Sequence, residues 1–262
     1  MRKIENEYRQ EIAEIGRWLH QKGFVAATDG NLSVRLDEGR VMTTPTNMSK
    51  GMCCPGDMIV VDRRGNKISG QRNASSELAM HLLIYDLRPD VNGIVHAHPP
   101  TATGFAAAGL SLEKALLSEV VLSLGFVPLA RYGTPGTPEL CDALRDLVPQ
   151  HDAILMANHG VVTFGENLLK AYFHMETVEH FARISLVTEL LGKQVLLSSQ
   201  DVQKLLDART RYYGSSPDAI PSGERPVVSD TPSLSRRFMI VQEEVKRLLE
   251  EAIRKLKVWP AS

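Results

Sequence analysis

The segment VNGIVHAH, residues 91–98, is a short apolar run that ends in two histidines separated by one alanine. On a β-strand, side chains two positions apart project to the same face, so the imidazoles of His96 and His98 are expected to point toward one location. Two neutral imidazoles on one face are part of a metal site. A pair of this kind also occurs as an ordinary polar strand end, so the motif alone leaves both interpretations open.

A second segment, DAILMANHG at residues 152–160, repeats the pattern with His159. The apolar strand delivers this histidine where the strand ends, and Gly160 is expected to permit the turn. Together, His96, His98 and His159 would form a three-histidine zinc site with one coordination position open. An open position is typical of catalytic zinc, because structural zinc sites are closed. The alternative is that the three histidines have ordinary hydrogen-bond partners within the core or at strand ends and bind no metal.

Composition indicates one ordinary globular domain, or one domain and a tail. The chain has 262 residues, of which 43% are hydrophobic and 23% charged, and a formal net charge of −1. This charge gives no sign of a nucleic-acid or membrane partner. No apolar run approaches the roughly 20 residues that span a bilayer, and the first residues lack a signal-peptide core. The three cysteines are Cys53, Cys54 and Cys141. They cannot all pair and are expected to be reduced, which favours a cytoplasmic location.

Periodicity, capping residues and Gly/Pro breakers predict the order of the elements. Helices are expected at 5–22, from a serine cap and acidic first turn at 75–77 to about 87, and at 101–108, 138–147 and 167–191. Strands are expected at 28–35 (after a glycine turn), 40–44, 58–62, 67–69, 91–98, 120–124, 126–130, 153–156 and 161–164. This mixture predicts an α/β fold with helical layers around a mixed or antiparallel sheet. No dinucleotide or Walker-type glycine loop is present.

The domain prediction divides the chain near residue 213. Residues 1–213 are expected to form the catalytic domain. Residues 214–232 are rich in Pro, Ser and Gly and are typical of a linker, and residues 237–258 predict one amphipathic helix. That helix is expected to pack on the domain or on a neighbouring subunit.

Glu77 is the candidate general base. A carboxylate at the start of a helix usually complements the helix dipole, or pairs with a residue one turn later such as His81. Beside an open zinc, the same carboxylate could abstract a proton, and partial burial is expected to raise its pKa. Both interpretations remain open from the sequence.

Three turns are candidates for binding a phosphate. They contain Gly30 and Asn31, Thr46 and Asn47, and Ser75 and Ser76. Hydroxyls, amides and backbone N–H groups in such turns bind phosphate with few Lys or Arg residues, although each turn alone is more often a simple cap. An anion site, an open metal and a carboxylate base together suit a phosphorylated ketose, whose enediolate the metal would stabilise.

At this level the sequence resembles the class II aldolase/adducin head family, over roughly residues 5–205. The resemblance rests on the motifs DGNLSVR (29–35), TPT (44–46), SSE (75–77), IVHAH (94–98), YGTPGT (132–137) and NHG (158–160). It implies a three-layer α/β/α fold with a largely antiparallel sheet. It also implies a C4 homotetramer with active sites at subunit interfaces, and Zn²⁺ or another divalent ion held by histidines.

The resemblance also implies residue roles. His96, His98 and His159 match the metal ligands, and Glu77 matches the acid–base carboxylate of the aldolases. The epimerases of the family usually have Asp there, so Glu77 favours cleavage over epimerisation. The phosphate-binding turns match Gly30, Asn31, Thr46, Ser75 and Ser76.

Two departures separate the chain from the fuculose-phosphate aldolases of the family. Asn47 stands where those enzymes have Gly in the second phosphate loop. Those enzymes also have a catalytic tyrosine, contributed by the adjacent subunit, in the segment that aligns with residues 117–119 of this chain, where no tyrosine is present. Glu119 is the candidate replacement as proton donor, with an ordinary surface carboxylate as the alternative.

The sequence therefore predicts a zinc-dependent aldolase that cleaves a ketose 1-phosphate to dihydroxyacetone phosphate and an aldehyde. Expected substrates are L-fuculose 1-phosphate and the 5-deoxy- or methylthio-ribulose 1-phosphates. Rival functions that keep the same site are a 4-epimerase, a dehydratase and a decarboxylase. A rival of a different class is a non-catalytic, adducin-like binding protein.

Overall fold

The computed structural model describes residues 3–213 and Arg247. Most of the predicted linker and C-terminal amphipathic helix therefore lies outside the described residues. Within residues 3–213 the strands form one eight-stranded sheet in the order β4-β3-β2-β1-β5-β8-β7-β6. The strands are β1 Asn31–Arg35, β2 Arg40–Thr43, β3 Ile59–Asp62, β4 Lys67–Ser69, β5 Gly93–Ala97, β6 Leu129–Ala130, β7 Ala153–Met156 and β8 Gly160–Gly165. All neighbours pair antiparallel except β6 and β7, which confirms a mixed, largely antiparallel sheet.

Helices cover both faces of this sheet. They are α1 Glu5–Gln21, α2 Leu78–Leu87, α3 Pro100–Ala107, α4 Ser118–Ser123, α5 Pro138–Leu144, α6 Leu168–Leu190 and α7 Ser199–Tyr213. Successive strand residues enter different cores, as the side-chain alternation of a strand requires. Val95 packs in a core with α1, α3 and α6, whereas Ile94 packs in a second core with α2 and α5. The predicted three-layer α/β/α fold is thus confirmed.

The long helix α6 shows how local sequence sets the ends of an element. Asn167 precedes it, and its side chain accepts a hydrogen bond from the Lys170 backbone N–H. Gly192 follows the C-cap residue with a φ of 73°, a conformation that glycine adopts without strain. Both ends agree with the prediction to within one residue.

Three elements differ from the sequence prediction. Residues 120–124 were expected to be a strand, but residues 120–123 belong to α4 and Leu124 is its C-cap, because Val120, Val121 and Leu124 bury one side of a short helix. Of the predicted strand 126–130, only β6 forms. Helix α7 was not predicted, since polar residues dominate it and its contacts are with α4, which is itself distant in the sequence. No helix of the described part of the chain is long and apolar enough to cross a membrane.

Gly93 and Gly104 offer a matched test of the packing. A Cβ atom on Gly93 would overlap the backbone of Asn167 and Leu168, whereas one on Gly104 would have no atom within 4 Å. We therefore expect Gly93→Ala to lower the free energy of unfolding by about 1–3 kcal/mol. Gly104→Ala, on an exposed helical position, should raise it by about 0.5–1 kcal/mol. Urea denaturation measures both values, and a Gly93→Ala protein as stable as the wild type would contradict the packing of β5 against α6.

Candidate active site

His96 and His98 meet at the end of β5. The strand runs antiparallel between β1 and β8, which places His96 opposite Asn31 and Val162. His96 is fully buried, and its Nδ1 lies 2.9 Å from the carbonyl oxygen of Val161. A carbonyl only accepts, so Nδ1 carries a proton, and in the neutral form of the ring Nε2 has the free lone pair. That Nε2 lies 3.2 Å from Nε2 of His98.

His159 joins them from the tight connection between β7 and β8. Its ring centroid lies 4.8 Å from that of His96 and 5.2 Å from that of His98. The turn prediction was wrong in one respect, because Asn158, with a φ of 55°, adopts the left-handed conformation. Gly160 serves a different purpose: a Cβ atom there would overlap the imidazole of His98.

The donor atoms of this three-histidine site fit a divalent cation. One ring nitrogen from each histidine lies within 4.8 Å of the other two. Nε2 of His96 lies 3.2 Å from Nε2 of His98 and 3.2 Å from Oε2 of Glu77, and lone pairs this close repel one another unless a proton or a cation lies between the atoms. Burial and the neighbouring imidazoles lower the pKa of His98 to about 4, which favours the neutral, metal-binding form. Asp29 lies 3.5 Å from Nδ1 of His98, on the side away from the site.

Glu77 reaches into the centre of this cluster. Its two carboxylate oxygens lie 3.2 Å from Nε2 of His96 and 3.2 Å from Nε2 of His159. Its buried Oε1 has this 3.2 Å contact with His159 but no well-aligned hydrogen bond among the described residues, which again suits a nearby cation. Burial alone would raise the pKa of Glu77, but His96 and His159 outweigh that effect and lower it. The prediction of a raised pKa was therefore wrong.

The start of α2 also differs from the prediction. The helix begins at Leu78 and its N-cap is Glu77, whose side chain makes no capping hydrogen bond. Ser75 is not the cap, because its Oγ accepts from the Glu77 backbone N–H within a turn that precedes the helix. This arrangement frees the Glu77 carboxylate to face the histidines instead of the helix dipole.

The three predicted phosphate turns lie around Glu77. Asn31 donates from Nδ2 to Oε2 of Glu77 at 2.8 Å, which brings in the Gly30–Asn31 turn. The loop with Thr46 lies beside the loop with Ser75 and Ser76, since Pro45 pairs with Ala74 and the Thr46 N–H donates to Asn73. Gly30, with a φ of 71°, approaches β5 so closely that a Cβ atom would lie 2.7 Å from the His96 carbonyl oxygen.

Asn47 and Glu119 are the two positions where the chain departs from the fuculose-phosphate aldolases. Asn47 is exposed and has a φ of 53°, a conformation that asparagine tolerates better than most residues. The loop backbone is thus compatible with Asn in place of Gly. Glu119 lies on α4, is exposed, and accepts a hydrogen bond from Ser118.

A family model independently matches this chain. The class II aldolase and adducin N-terminal domain matches residues 10–186, a range that contains all three histidines and Glu77. The chain belongs to this family, whose enzymes include sugar-phosphate lyases.

Curated relatives and solved structures agree with this assignment. The chain is 33% identical over 199 residues to the 5-deoxy-D-ribulose 1-phosphate aldolase of Bacillus thuringiensis, covering 75% of this chain and 92% of the relative. It is 33% identical over 207 residues to the 3-oxo-tetronate 4-phosphate decarboxylase of Pectobacterium atrosepticum, covering 77% and 93%. A solved L-fuculose 1-phosphate aldolase superposes with a TM-score of 0.72 and 31% identity, over 76% of this chain and 94% of that structure.

Proposed function

We propose that the protein is a zinc-dependent class II aldolase that cleaves a ketose 1-phosphate reversibly to dihydroxyacetone phosphate and an aldehyde. One observation carries the proposal: the carboxylate of Glu77 contacts two of three imidazoles whose ring nitrogens converge on one point. A cation site and a proton-transfer group are thereby combined in one place. Relatives named as 5-deoxy-D-ribulose 1-phosphate and L-fuculose phosphate aldolases suggest a deoxy-sugar 1-phosphate as the substrate class.

Nε2 atoms of His96, His98 and His159 would hold the ion. A divalent cation there, zinc in this proposal, would supply Lewis-acid stabilisation of the negative charge that develops on the substrate when the carbon–carbon bond breaks. The Val161 carbonyl and Asp29 support two of the imidazoles from behind, which fixes their ring orientation.

Glu77 would move the proton at carbon. In the synthetic direction its carboxylate takes a proton from the carbon of dihydroxyacetone phosphate that forms the new bond. In cleavage Glu77 first takes a proton from solvent, and the resulting carboxylic acid delivers it to the same carbon and is left ionised. A cation held by the three imidazoles would favour the ionised form of this carboxylate, as the synthetic direction requires. The hydroxyl that becomes the aldehyde loses a proton to a second group, for which Glu119 is the candidate.

The phosphate end of the substrate would bind among the three turns. Gly30, Thr46, Asn47, Ser75 and Ser76 are the candidate contacts, with Asn31 at the boundary between the phosphate and Glu77. Asn47 and Ser76 are exposed, and Thr46 and Ser75 are half-buried, so these two turns are open to a ligand, whereas Gly30 and Asn31 are buried. His98 is half-buried and lies on the solvent-accessible side of the three histidines, whereas His96 is fully buried.

Decarboxylation of a phosphorylated keto acid is the second candidate reaction, because several relatives at 30–33% identity are 3-oxo-tetronate 4-phosphate decarboxylases. The same site would then stabilise the negative charge left when carbon dioxide departs. A 4-epimerase or dehydratase reaction would also use these residues.

A product assay distinguishes these reactions. We expect the purified protein to release dihydroxyacetone phosphate from L-fuculose 1-phosphate or 5-deoxy-ribulose 1-phosphate, and to stop when a chelator is added. Coupled reduction of dihydroxyacetone phosphate measures this directly, and 3-oxo-tetronate 4-phosphate is assayed in parallel for carbon dioxide. Carbon dioxide release without dihydroxyacetone phosphate from any ketose phosphate would replace the aldolase proposal with the decarboxylase.

We also propose that the protein is a cytoplasmic homotetramer whose partner is a small phosphorylated sugar, as the family resemblance implies. Light scattering on the purified protein measures the assembly, and a monomeric mass would contradict it.

A further inference from the structure

A buried line of polar side chains runs from Glu77 into the core between the sheet and α2. Its members are Glu77, Asn31, His81, Ser33 and Tyr85, which we call the polar row. The five residues come from two elements whose periods bring them together. Glu77, His81 and Tyr85 are four residues apart at and along α2, and Asn31 and Ser33 are two apart on β1. Each is at most 9% exposed.

Every link of the polar row is a hydrogen bond. Asn31 Nδ2 lies 2.8 Å from Glu77 Oε2, and Asn31 Oδ1 lies 2.5 Å from His81 Nε2. Ser33 Oγ lies 2.6 Å from His81 Nδ1 and 2.8 Å from the Tyr85 hydroxyl. Both ring nitrogens of His81 and both ends of the Asn31 amide are therefore engaged.

The chemistry of the partners fixes the direction of all four bonds. An ionised Glu77 only accepts, so Asn31 presents its NH₂ group to the carboxylate and its carbonyl oxygen to His81. That oxygen also only accepts, so the proton of His81 must be on Nε2.

The remaining two bonds follow from the tautomer of His81. In a neutral imidazole Nδ1 is then the acceptor, and Ser33 donates to it. Ser33 accepts in turn from the hydroxyl of Tyr85. Burial lowers the pKa of His81 to about 3, which keeps this ring neutral.

We propose that His81 and Ser33 are positioning residues, which hold the Asn31 amide in one orientation and thereby aim the Glu77 carboxylate at the reacting carbon. All donors in the polar row point toward Glu77, so the row stabilises the ionised carboxylate in one geometry. This inference rests on the proposed function of Glu77. It also reassigns the Asn31 side chain, which the sequence placed among phosphate ligands, mainly to holding the base.

A buried hydrogen-bonded histidine could instead serve stability alone. The two roles differ in what a substitution changes. Loss of a purely structural bond lowers the free energy of unfolding and leaves turnover per folded enzyme unchanged. A misoriented Glu77 carboxylate lowers kcat, while KM and the metal content stay near wild type, because the phosphate turns and the three histidines are intact.

The first test needs no substrate. In ¹⁵N-histidine-labelled protein, the imidazole nitrogen shifts of His81 report which nitrogen carries the proton, and a His81→Gln sample identifies the resonances. We expect a single neutral tautomer with the proton on Nε2 across pH 6 to 8. A proton on Nδ1, or a charged ring in this range, would overturn the proposed direction of the polar row.

The second test is kinetic. Ser33→Ala removes the hydrogen-bond donor to His81 Nδ1. The tautomer with the proton on Nε2 is then no longer favoured, and the Asn31 amide is no longer held in one orientation. We expect kcat for dihydroxyacetone phosphate release to fall about 10- to 100-fold, with KM within about twofold and zinc content unchanged. His81→Gln, the second variant in case Ser33→Ala does not fold, should show the same split.

Thr163→Val is the matched control. Thr163 is a fully buried hydroxyl residue on β8 that donates to Ala171, outside the polar row. It should lose stability and keep kcat. Equal kcat in Ser33→Ala and Thr163→Val proteins would overturn the positioning role. A wild-type enzyme without lyase activity would instead contradict the proposed function, and the NMR result would still decide the direction of the polar row.

Discussion

Replacing His159 with alanine is expected to lower the bound zinc far below one ion per chain and to reduce dihydroxyacetone phosphate release by about 10³-fold or more. The reason is that the proposed site has only three imidazole ligands. Losing one of them removes one of four positions in a tetrahedral shell and weakens the binding of the ion. A bound ion stabilises the charge that develops in the transition state by several kcal/mol, and about 1.4 kcal/mol corresponds to a tenfold change in rate. Metal analysis and the coupled product assay measure the two quantities.

His180→Ala is the control for that experiment. His180 is an exposed histidine on α6, remote in sequence from the three candidate ligands, and its loss should change neither zinc content nor rate. A His159→Ala protein that retains one zinc and normal turnover would show that the ion binds elsewhere or has no part in the reaction.

Replacing Glu77 with glutamine is expected to lower turnover by about 10²- to 10⁴-fold while zinc stays bound. Glutamine keeps the size of the side chain and still accepts from Asn31 through its carbonyl oxygen, but it cannot take a proton. The ion stays because its three imidazole ligands are unchanged. The coupled assay gives the rate, and metal analysis confirms the loaded site.

Glu14→Gln, an exposed position on α1, controls for a general effect of losing one carboxylate. Normal turnover in a zinc-loaded Glu77→Gln protein would exclude Glu77 as the base and would favour a different group for proton transfer.

The layered fold could be predicted because its signals are local. The short, nearly continuous apolar runs of β5, β7 and β8 and the capped, 23-residue α6 are properties of short windows. Helix α4 was predicted as a strand because Val120 and Val121 favour strands, and burial against a neighbouring element overrode that preference. Helix α7 has an apolar stripe at helical spacing, which includes Val202, Leu205 and Leu206, but its other residues are mostly polar, so the helix was not predicted.

The convergence of the histidines could also be predicted, because both His-containing segments, His96-Ala97-His98 and the NHG segment, lie at the end of an apolar strand. The direction in which the pKa of Glu77 shifts could not be predicted. The sequence indicated burial, which raises a carboxyl pKa, but gave no distance to the imidazoles, whose opposing effect is larger.

The polar row has a sequence signature: Asn31 and Ser33 lie at strand spacing, and Glu77, His81 and Tyr85 lie at helical spacing. Recognising it required knowing that α2 covers β1 on that face. Asp29, in the DGNLSVR motif, lies 3.5 Å from His98 Nδ1, a contact that the motif alone does not predict.

We propose above all that three imidazoles, from the end of β5 and the β7–β8 turn, hold one catalytic cation. The most direct measurement is an anomalous difference map at the zinc absorption edge from crystals of the zinc-loaded protein. The account predicts one strong peak about 2.0–2.1 Å from Nε2 of His96, His98 and His159. A map without a peak at that position, or with the ion bound at other residues, would contradict it.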